Sequence, residues 1–295
     1  MSRIAFTDYS GLRNFGRKSM MCRSRFFVIT PAFLDKQQHV LDHGFVWNGA
    51  LGKSRFELHQ QEGGWGVAID VDLSGFMREP DSGFAEYLLN QSLDTLALRF
   101  ASPFQCVAAT DEHLTLAGSK ASHSVGAVVG IQDIDESIRM GMLLYTFEDT
   151  LLKALSWYRR GISAADPVLG FLGLWNSLET VAAKFHTPNE ETAGKSKKQV
   201  AQLLSEHLRK SGFQFFKPES DEMWNWVDTN YEFRKDLAHG LKALNPSSNE
   251  ELRRAIPKLK SVVTAILRVM LDIRCTENEE IAQVLKQAEE LKKTH

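Results

Sequence analysis

The spacing of apolar residues changes once along the chain, from a period of two in the first half to a period near 3.6 in the second. Residues 24–34 and 65–73 alternate apolar with polar positions and are rich in β-branched side chains, which is typical of half-buried strands. Shorter runs of the same kind lie at 105–109, 113–117 and 125–129. These segments predict a sheet in the first half of the chain.

One segment of the first half departs from this alternation. Residues 82–99 place their large apolar side chains on one broad face, a spacing that predicts an amphipathic helix. The pair Gly63-Gly64 predicts a turn that leads into the strand at 65–73. We therefore expect residues 1–147 to form a β-rich N-terminal domain with one helix.

The second half repeats helical spacing in a series of segments separated by Gly, Pro or Asn. These segments lie at residues 148–161, 166–185, 196–211, 221–239, 248–274 and 278–293. Pro257 falls inside the fifth segment and is expected to kink or divide that helix, because proline lacks an amide donor. The polar segment 187–198 predicts a surface loop or a capped helix start. Residues 148–295 are therefore expected to form an all-α domain, which gives the chain the class α+β.

Composition adds limits on compartment and partners. The 295 residues are 43% hydrophobic and 24% charged, and they contain no apolar run long enough to span a membrane. No secretory signal is visible, and the three cysteines, Cys22, Cys106 and Cys275, form no close pair. These features are typical of a reducing compartment, so we expect a cytoplasmic protein. The net charge of −2 argues against coating of nucleic acid through bulk electrostatics and leaves room for a local basic cleft.

Several common sources of enzyme chemistry are missing from the sequence. It contains no GxxxxGK[ST], no GxGxxG between a strand and a helix, no GxSxG and no HExxH. His39 and His43 have the spacing of a helical metal pair, but no third ligand accompanies them. We expect both histidines to face solvent, and we expect neither a metal site nor a cofactor.

The most informative stretch ends the fourth helical segment of the second half. It reads Tyr231-Glu232-Phe233-Arg234-Lys235-Asp236-Leu237-Ala238-His239-Gly240, and its glycine suits the position just after a helix. Arg234 has no carboxylate three or four residues away, so its guanidinium is expected to be free for another partner. Five residues turn a helix by about 140° net and advance it by about 7.5 Å, so Arg234 and His239 do not lie one above the other.

Neighbouring residues of this stretch have expected supporting roles. Asp236 lies three residues before His239, where its carboxylate is placed to accept a proton from one imidazole nitrogen and leave the other as a base. Tyr231 is expected to be a core residue that braces Arg234. The alternative is purely structural, with His239 capping the helix and Arg234 stacked on Tyr231 or Trp226.

The whole frame of this stretch carries a family resemblance. Tyr-x-x-Arg-x-x-Leu-x-His-Gly, from Tyr231 to Gly240, resembles the signature of the HEPN superfamily and, most closely, of its Apea-like branch. The run Phe171-Leu-Gly-Leu-Trp-Asn-Ser-Leu-Glu-Thr resembles a second element of that branch, so the resemblance covers residues 148–275. The family usually has a small polar residue after the arginine, where this chain has Lys235. The resemblance implies that the second half is an all-α HEPN-like helical bundle.

The same resemblance implies a metal-independent endoribonuclease. Arg234 and His239 would be its catalytic residues. His239 would take the proton of a ribose 2′-hydroxyl or give one to the leaving oxygen, while Arg234 would stabilise the charge of the transition state. Such an attack leaves a 2′,3′-cyclic phosphate and cannot cut DNA. By analogy, relatives of this kind act as toxins or in antiviral defence.

Two further sets of residues are candidates for the site. Arg159 and Arg160 form the best candidate basic edge for an RNA backbone, and they are equally consistent with an ordinary helix C-terminus. Glu179, on the segment 166–185, either faces the arginine and histidine or has a structural role, and we expect the structural role.

The resemblance also implies an assembly. Two protomers of such proteins face their motif helices across a two-fold axis, so we expect a homodimer through the helical domain. The segments 166–185 and 221–239 are rich in Trp, Phe, Leu and Met, as such an interface requires. The alternative function is a non-catalytic interaction module, in which the motif holds the helices and the β-rich half binds a protein or a small ligand. In that case Lys235 marks the loss of catalysis.

Overall fold

The computed structural model describes residues 20–30, 32–47, 50–60, 66–76, 82–108, 128–208, 214–217, 221–239 and 246–277. An antiparallel β-sheet in the N-terminal region is followed by a helical region, which confirms the α+β class. The chain separates into two compact units, Met1–Glu148 and Asp149–His295. Within the described ranges, no helix is both long and apolar enough to cross a membrane.

The main sheet of the N-terminal unit has five antiparallel strands. In chain order the strands of the unit are β1 (Met20–Ile29), β2 (Phe33–Leu34), β3 (Gln38–Trp47), β4 (Ala50–Gln60), β5 (Gly66–Phe76), β6 (Gln105–Ala108) and β7 (Val128–Val129). The sheet order is β3-β4-β5-β1-β6, while β2 and β7 form a separate parallel pair. The strands predicted at 24–34 and 65–73 are confirmed by β1 and β5. The strand predicted at 113–117 and the turn at Gly63-Gly64 lie outside the described residues.

The two faces of this sheet differ in character. Phe26, Ile69 and Leu58 share one cross-strand row and are buried, so the face they form is apolar. The row beside it carries Arg25 and Asp70 on the opposite face, where Arg25 donates to both carboxylate oxygens at 2.6 and 2.7 Å. Hydrogen bonds from the arginines hold the pKa of Asp70 at about 2. This face of the sheet is therefore charged, with the exposed Arg23 and Arg25 paired to the buried Asp70 carboxylate.

The described part of the N-terminal unit contains two helices, not one. Helix α1 (Ser82–Phe100) confirms the helix predicted at 82–99. Helix α2 (Ile131–Phe147) was not predicted, so the expectation of a single helix is wrong. Ile134 and Ile138 lie on its buried side, and the Asp133 carboxylate accepts from the Gly130 backbone N–H at 2.9 Å. The apolar run at 125–129 has the pattern of a strand and ends one residue before this helix, so no clear signal in the sequence marks where the helix begins.

The expectation that His39 and His43 face solvent is wrong. Both lie on β3, where residues four apart point to the same side of a sheet, and both are buried. His39 Nε2 lies 2.5 Å from Asp35 Oδ1, and His43 Nε2 lies 3.6 Å from Asp135 Oδ1. Burial lowers the pKa of His43 to about 4, although the Asp135 carboxylate opposes the shift.

We expect the N-terminal unit to lose stability as the pH falls from 6.5 towards 4. In this window His43 is neutral in the folded unit and protonated in the unfolded chain, because its folded pKa of about 4 lies below the ordinary 6.5. The unfolded state therefore binds more protons, and the free energy of unfolding falls by an amount on the order of 3 kcal/mol across the window. Urea unfolding at both ends of the window measures this change. His43→Gln is the control and should remove most of it; an equal loss in that variant would contradict the assignment.

The C-terminal unit consists of helices in its described part. They are α3 (Asp149–Ser163), α4 (Pro167–Phe185), α5 (Ser196–His207), α6 (Glu222–Ala238) and α7 (Pro246–Glu277). These confirm the first five predicted segments, and the segment 278–293 lies outside the described residues. Pro257 does not divide α7, since Leu252 and Leu259 on either side of it are fully buried and packing holds the helix through the proline. The segment 187–198 combines turns with the start of α5, and the Asn189 carboxamide oxygen accepts from two backbone N–H groups there.

Helix α4 lies at the centre of this unit. Asp166 caps its first turn by accepting from the Val168 N–H at 2.7 Å, and Pro167 is its first residue. It packs closely on α3, because Gly161 and Gly173 meet where the two helices cross. A Cβ built on Gly173 would lie 2.7 Å from the Gly161 Cα, so the contact excludes any side chain. This central helix carries Glu179.

Candidate functional site

Arg234 lies on α6 where that helix packs against α4. The Phe233 ring meets the Phe171 ring edge-on at 5.3 Å, which fixes this part of α6 against α4. Arg234 Nη2 then lies 3.2 Å from Glu179 Oε2. The expectation of a guanidinium without a partner is therefore wrong, because the carboxylate comes from a neighbouring helix.

Glu179 is itself held in place from a third helix. The Ser196 hydroxyl, at the start of α5, donates to Glu179 Oε1 at 2.6 Å. One carboxylate therefore links α4, α5 and α6, with one oxygen towards Ser196 and the other towards Arg234. Glu179 therefore connects helices, which is the structural role that we expected, and it also lies beside Arg234. Ser196 has no counterpart in the sequence prediction, since its partner lies on another helix and no local spacing relates them.

Arg234 keeps donors for a further acceptor. Its side chain is 29% exposed, and its Nε is buried without a hydrogen-bond partner among the described residues. A guanidinium carries five N–H donors, and the ion pair with Glu179 engages one of its nitrogens. A buried donor without an acceptor costs free energy, so an anion that reached Nε would be stabilised there.

His239 is exposed at the end of α6. Its backbone N–H donates to the Lys235 carbonyl at 3.1 Å, as expected of the residue that closes a helix. The described contacts include no hydrogen bond between His239 and Asp236, which lies half-buried one turn earlier. The predicted pairing of these two side chains is therefore absent from the described contacts. The His239 imidazole is accessible to a substrate.

Tyr231 and Lys235 differ from their expected roles. Tyr231 is half-exposed and not a core residue, and the Lys197 ammonium lies 5.8 Å from the centre of its ring. The same ammonium pairs with the Asp228 carboxylate at 2.5 Å. Lys235 is exposed and pairs with Glu232 at 2.9 Å, an interaction that raises the pKa of Lys235. Tyr231 therefore lies beneath a lysine, and the described residues show no hydrogen bond or ring interaction between Tyr231 and Arg234.

Arg159 and Arg160 do not form a continuous basic edge. Arg159 is 9% exposed and belongs to the interior side of α3. Arg160 is exposed, and its guanidinium lies 5.4 Å from the centre of the Trp157 ring. Consecutive helical residues point about 100° apart, so adjacent arginines rarely share one face. Only Arg160 of the pair is presented to a ligand.

The outward face of α6 carries a row of polar and aromatic side chains. Its members follow one another at intervals of three or four residues and are exposed or half-exposed: Trp224, Asp228, Tyr231, Lys235 and His239. Arg234 follows Tyr231 by three residues and therefore lies beside this row. Both candidate catalytic residues lie in the C-terminal part of α6, where His239 is the residue that closes the helix.

A group of possible metal ligands lies in the N-terminal unit. Glu57, His59 and Asp70 offer ligand atoms within 4.8 Å of one another. Both oxygens of Asp70 accept from Arg25, and one also accepts from Arg23 at 3.0 Å. The carboxylate that lies deepest is thus fully engaged by cations, as in a cross-strand network of ion pairs.

The comparisons with known proteins give no match for this chain. No protein-family model, no curated protein and no solved structure matches it. The resemblance to the HEPN superfamily rests on the frame from Tyr231 to Gly240 and on the run that contains Glu179.

Proposed function

We propose that the helical unit is a metal-independent endoribonuclease that uses Arg234 and His239. The observation that supports it is the contact between Glu179 and Arg234, which holds a half-buried guanidinium beside the exposed end of α6. His239 lies at that end with an accessible imidazole. A fixed cation and a free proton carrier are the two groups that cleavage through a 2′-hydroxyl requires.

The proposed reaction needs only side chains and the RNA itself. The ribose 2′-oxygen gives up its proton and attacks the adjacent phosphorus, and the bond from phosphorus to the 5′-oxygen breaks. The leaving oxygen takes up a proton, which leaves a 2′,3′-cyclic phosphate and a 5′-hydroxyl. His239 carries one of these protons, and Arg234 stabilises the negative charge that develops on the phosphoryl oxygens. Glu179 acts as a positioning residue through its ion pair with Arg234.

The setting of this activity forms part of the proposal. We place the protein in the cytoplasm, a location supported by Cys106 and Cys275, neither of which forms a disulfide in the described part of the chain. RNA is the proposed partner, and a role as a toxin or in antiviral defence follows from the family analogy alone.

A homodimer through the helical unit is proposed on the same analogy. The large aromatic side chains of α4 and α6 mostly pack against one another inside the unit: Phe171, Trp175, Trp226 and Phe233. Leu169 and Trp224 remain exposed on these helices, at 61% and 48%. A two-fold interface through these helices would therefore have less apolar surface than the sequence suggests.

A non-catalytic interaction module is the second candidate, and one contact favours it. The chain of contacts from Ser196 through Glu179 to Arg234 ties three helices together. If Arg234 had only this structural role, replacing it would lower the stability of the helical unit and would not change RNA cleavage. The two candidate functions therefore predict different results for Arg234→Ala. If the protein is a ribonuclease, the variant should not cleave RNA under conditions where it remains folded.

We expect the purified protein to cleave RNA in the presence of EDTA and to leave DNA of the same sequence intact. The proposed groups require no metal, and DNA lacks the attacking hydroxyl. Electrophoresis and mass spectrometry of the products measure both the cleavage and the cyclic phosphate. His239→Ala, purified in the same way, controls for contaminating nucleases. Cleavage that stops in EDTA, or equal cleavage of DNA, would contradict the proposal.

A further inference from the structure

Trp224 is unusually exposed for a tryptophan. Its residue surface is 48% accessible, and its ring has no aromatic or cationic partner among the described residues. Tyr231 lies seven residues later on the same face of α6, about 10.5 Å further along the helix axis. Two aromatic rings are therefore presented in line towards Arg234.

Lysines flank this aromatic row. Lys195, Lys197 and Lys198 lie at the start of α5, where the helix dipole disfavours cations, so helix stability does not explain their presence. The Lys197 ammonium lies over one face of the Tyr231 ring, and Tyr231 remains half-exposed. Lys198 lies 3.5 Å from the exposed Glu191, and the Lys195 ammonium has no partner among the described residues. Lys195 and Lys198 are thus the lysines most available to a phosphate.

The start of α5, which carries these lysines, is linked to the candidate catalytic arginine through Ser196 and Glu179. Ser196, between Lys195 and Lys197, donates to Glu179, and Glu179 pairs with Arg234. The start of α5 and the guanidinium therefore lie on either side of one carboxylate. A chain bound along α6 would pass the aromatic rings and the lysines before it reached Arg234.

We propose that the outward face of α6 and the start of α5 form a binding track for an unpaired RNA segment, with Trp224 and Tyr231 stacking bases and Lys195 and Lys198 contacting phosphates. This inference rests on the proposed ribonuclease function and assigns its substrate class. Aromatic rings combined with cations are typical of single-strand binding, since unpaired bases expose their faces. The bases of a duplex are stacked on one another and unavailable to side chains in this way.

Binding is measured separately from cleavage. Fluorescence anisotropy with a labelled single-stranded 2′-O-methyl RNA reports affinity, because the blocked 2′-oxygen prevents the proposed reaction. Trp224→Ala should weaken binding about 5- to 150-fold, the effect of losing one stacked base. Tyr87→Ala is the control, since Tyr87 is also an exposed aromatic residue and lies on α1 of the N-terminal unit. Its affinity should remain that of the wild type, and a duplex of the same RNA should bind at least tenfold more weakly.

The phosphate contacts are tested through salt. Lys195→Ala and Lys198→Ala should each reduce the slope of log affinity against log salt by about 0.7, the value for one phosphate contact in a single strand. Lys153→Ala, at a surface lysine that pairs with Asp149, should leave the slope unchanged. Unchanged slopes in the first two variants would overturn the phosphate contacts.

The outcomes separate this inference from the proposed function. Wild-type affinity in Trp224→Ala, weaker binding in Tyr87→Ala, or no binding by the wild type would each overturn the track. Conversion of a dimer to a monomer by Trp224→Ala, with affinity unchanged, would assign this face to a second copy of the chain and also overturn it. A wild type that binds the 2′-O-methyl RNA and loses affinity in Trp224→Ala, yet cleaves no RNA, would support the track and reject the ribonuclease. RNA cleavage by the wild type, together with unchanged affinity in Trp224→Ala, would support the ribonuclease and reject the track.

Discussion

Replacing His239 with alanine should lower the rate of RNA cleavage by about 10²- to 10⁴-fold, the usual effect of removing a general acid or base. The imidazole is exposed at the end of α6 and makes no side-chain hydrogen bond among the described residues, so its loss should not disturb folding. Single-turnover cleavage with saturating enzyme measures the chemical step. Circular dichroism and urea unfolding of the same preparation establish that the variant is folded.

A matched histidine provides the control for this prediction. His59 lies half-exposed on β4 in the other unit, and His59→Ala should retain the wild-type rate. A folded His239→Ala protein that cleaves at the wild-type rate would remove His239 from the reaction.

Replacing Gly173 with alanine should destabilise the helical unit by about 1–3 kcal/mol, even after the helix propensity that alanine gains. The new Cβ would lie 2.7 Å from the Gly161 Cα and 2.8 Å from its backbone nitrogen, so α3 and α4 would have to separate. Because α4 also carries Glu179, the separation should reduce cleavage as well. The midpoint of urea unfolding measures the stability change.

Gly170 provides the matched control on the same helix. A Cβ at Gly170 meets the Gly161 carbonyl oxygen at 3.3 Å and no other atom closer than 3.8 Å. Gly170→Ala should therefore change stability far less than Gly173→Ala. Equal stabilities of the wild type and Gly173→Ala would show that the helix crossing is looser than the structure indicates.

Periodicity predicted most of the described elements because burial on one face repeats within each element. The five described helices of the second unit and α1 in the first follow from this repeat. Helix α2 was missed because a strand-like run precedes it directly. His39 and His43 were predicted to face solvent, but they are buried on β3. Their spacing of four residues fits one face of a helix and also one face of a strand, so it could not identify the element.

The candidate site was only partly predictable, since its contacts join separate helices. The motif placed Arg234 and His239 at the end of α6, as the structure has them. Glu179 beside Arg234 was the less favoured of two alternatives, because spacings of three or four residues relate only positions on one helix and this ion pair joins two helices. Arg159 and Arg160 were predicted together as a basic edge, but Arg159 is buried. Only the three-dimensional packing decides which of two adjacent arginines faces the interior.

The central claim is that the RNA attacks itself through its own 2′-hydroxyl with help from Arg234 and His239. The most direct measurement compares two RNAs in EDTA, the natural strand and a copy with a single 2′-deoxynucleotide immediately 5′ of the main cleavage position. The account predicts that cleavage at this position disappears in the second strand and that minor positions are cut as before. Continued cleavage at the deoxy position would contradict the account, because the attacking oxygen would then come from elsewhere.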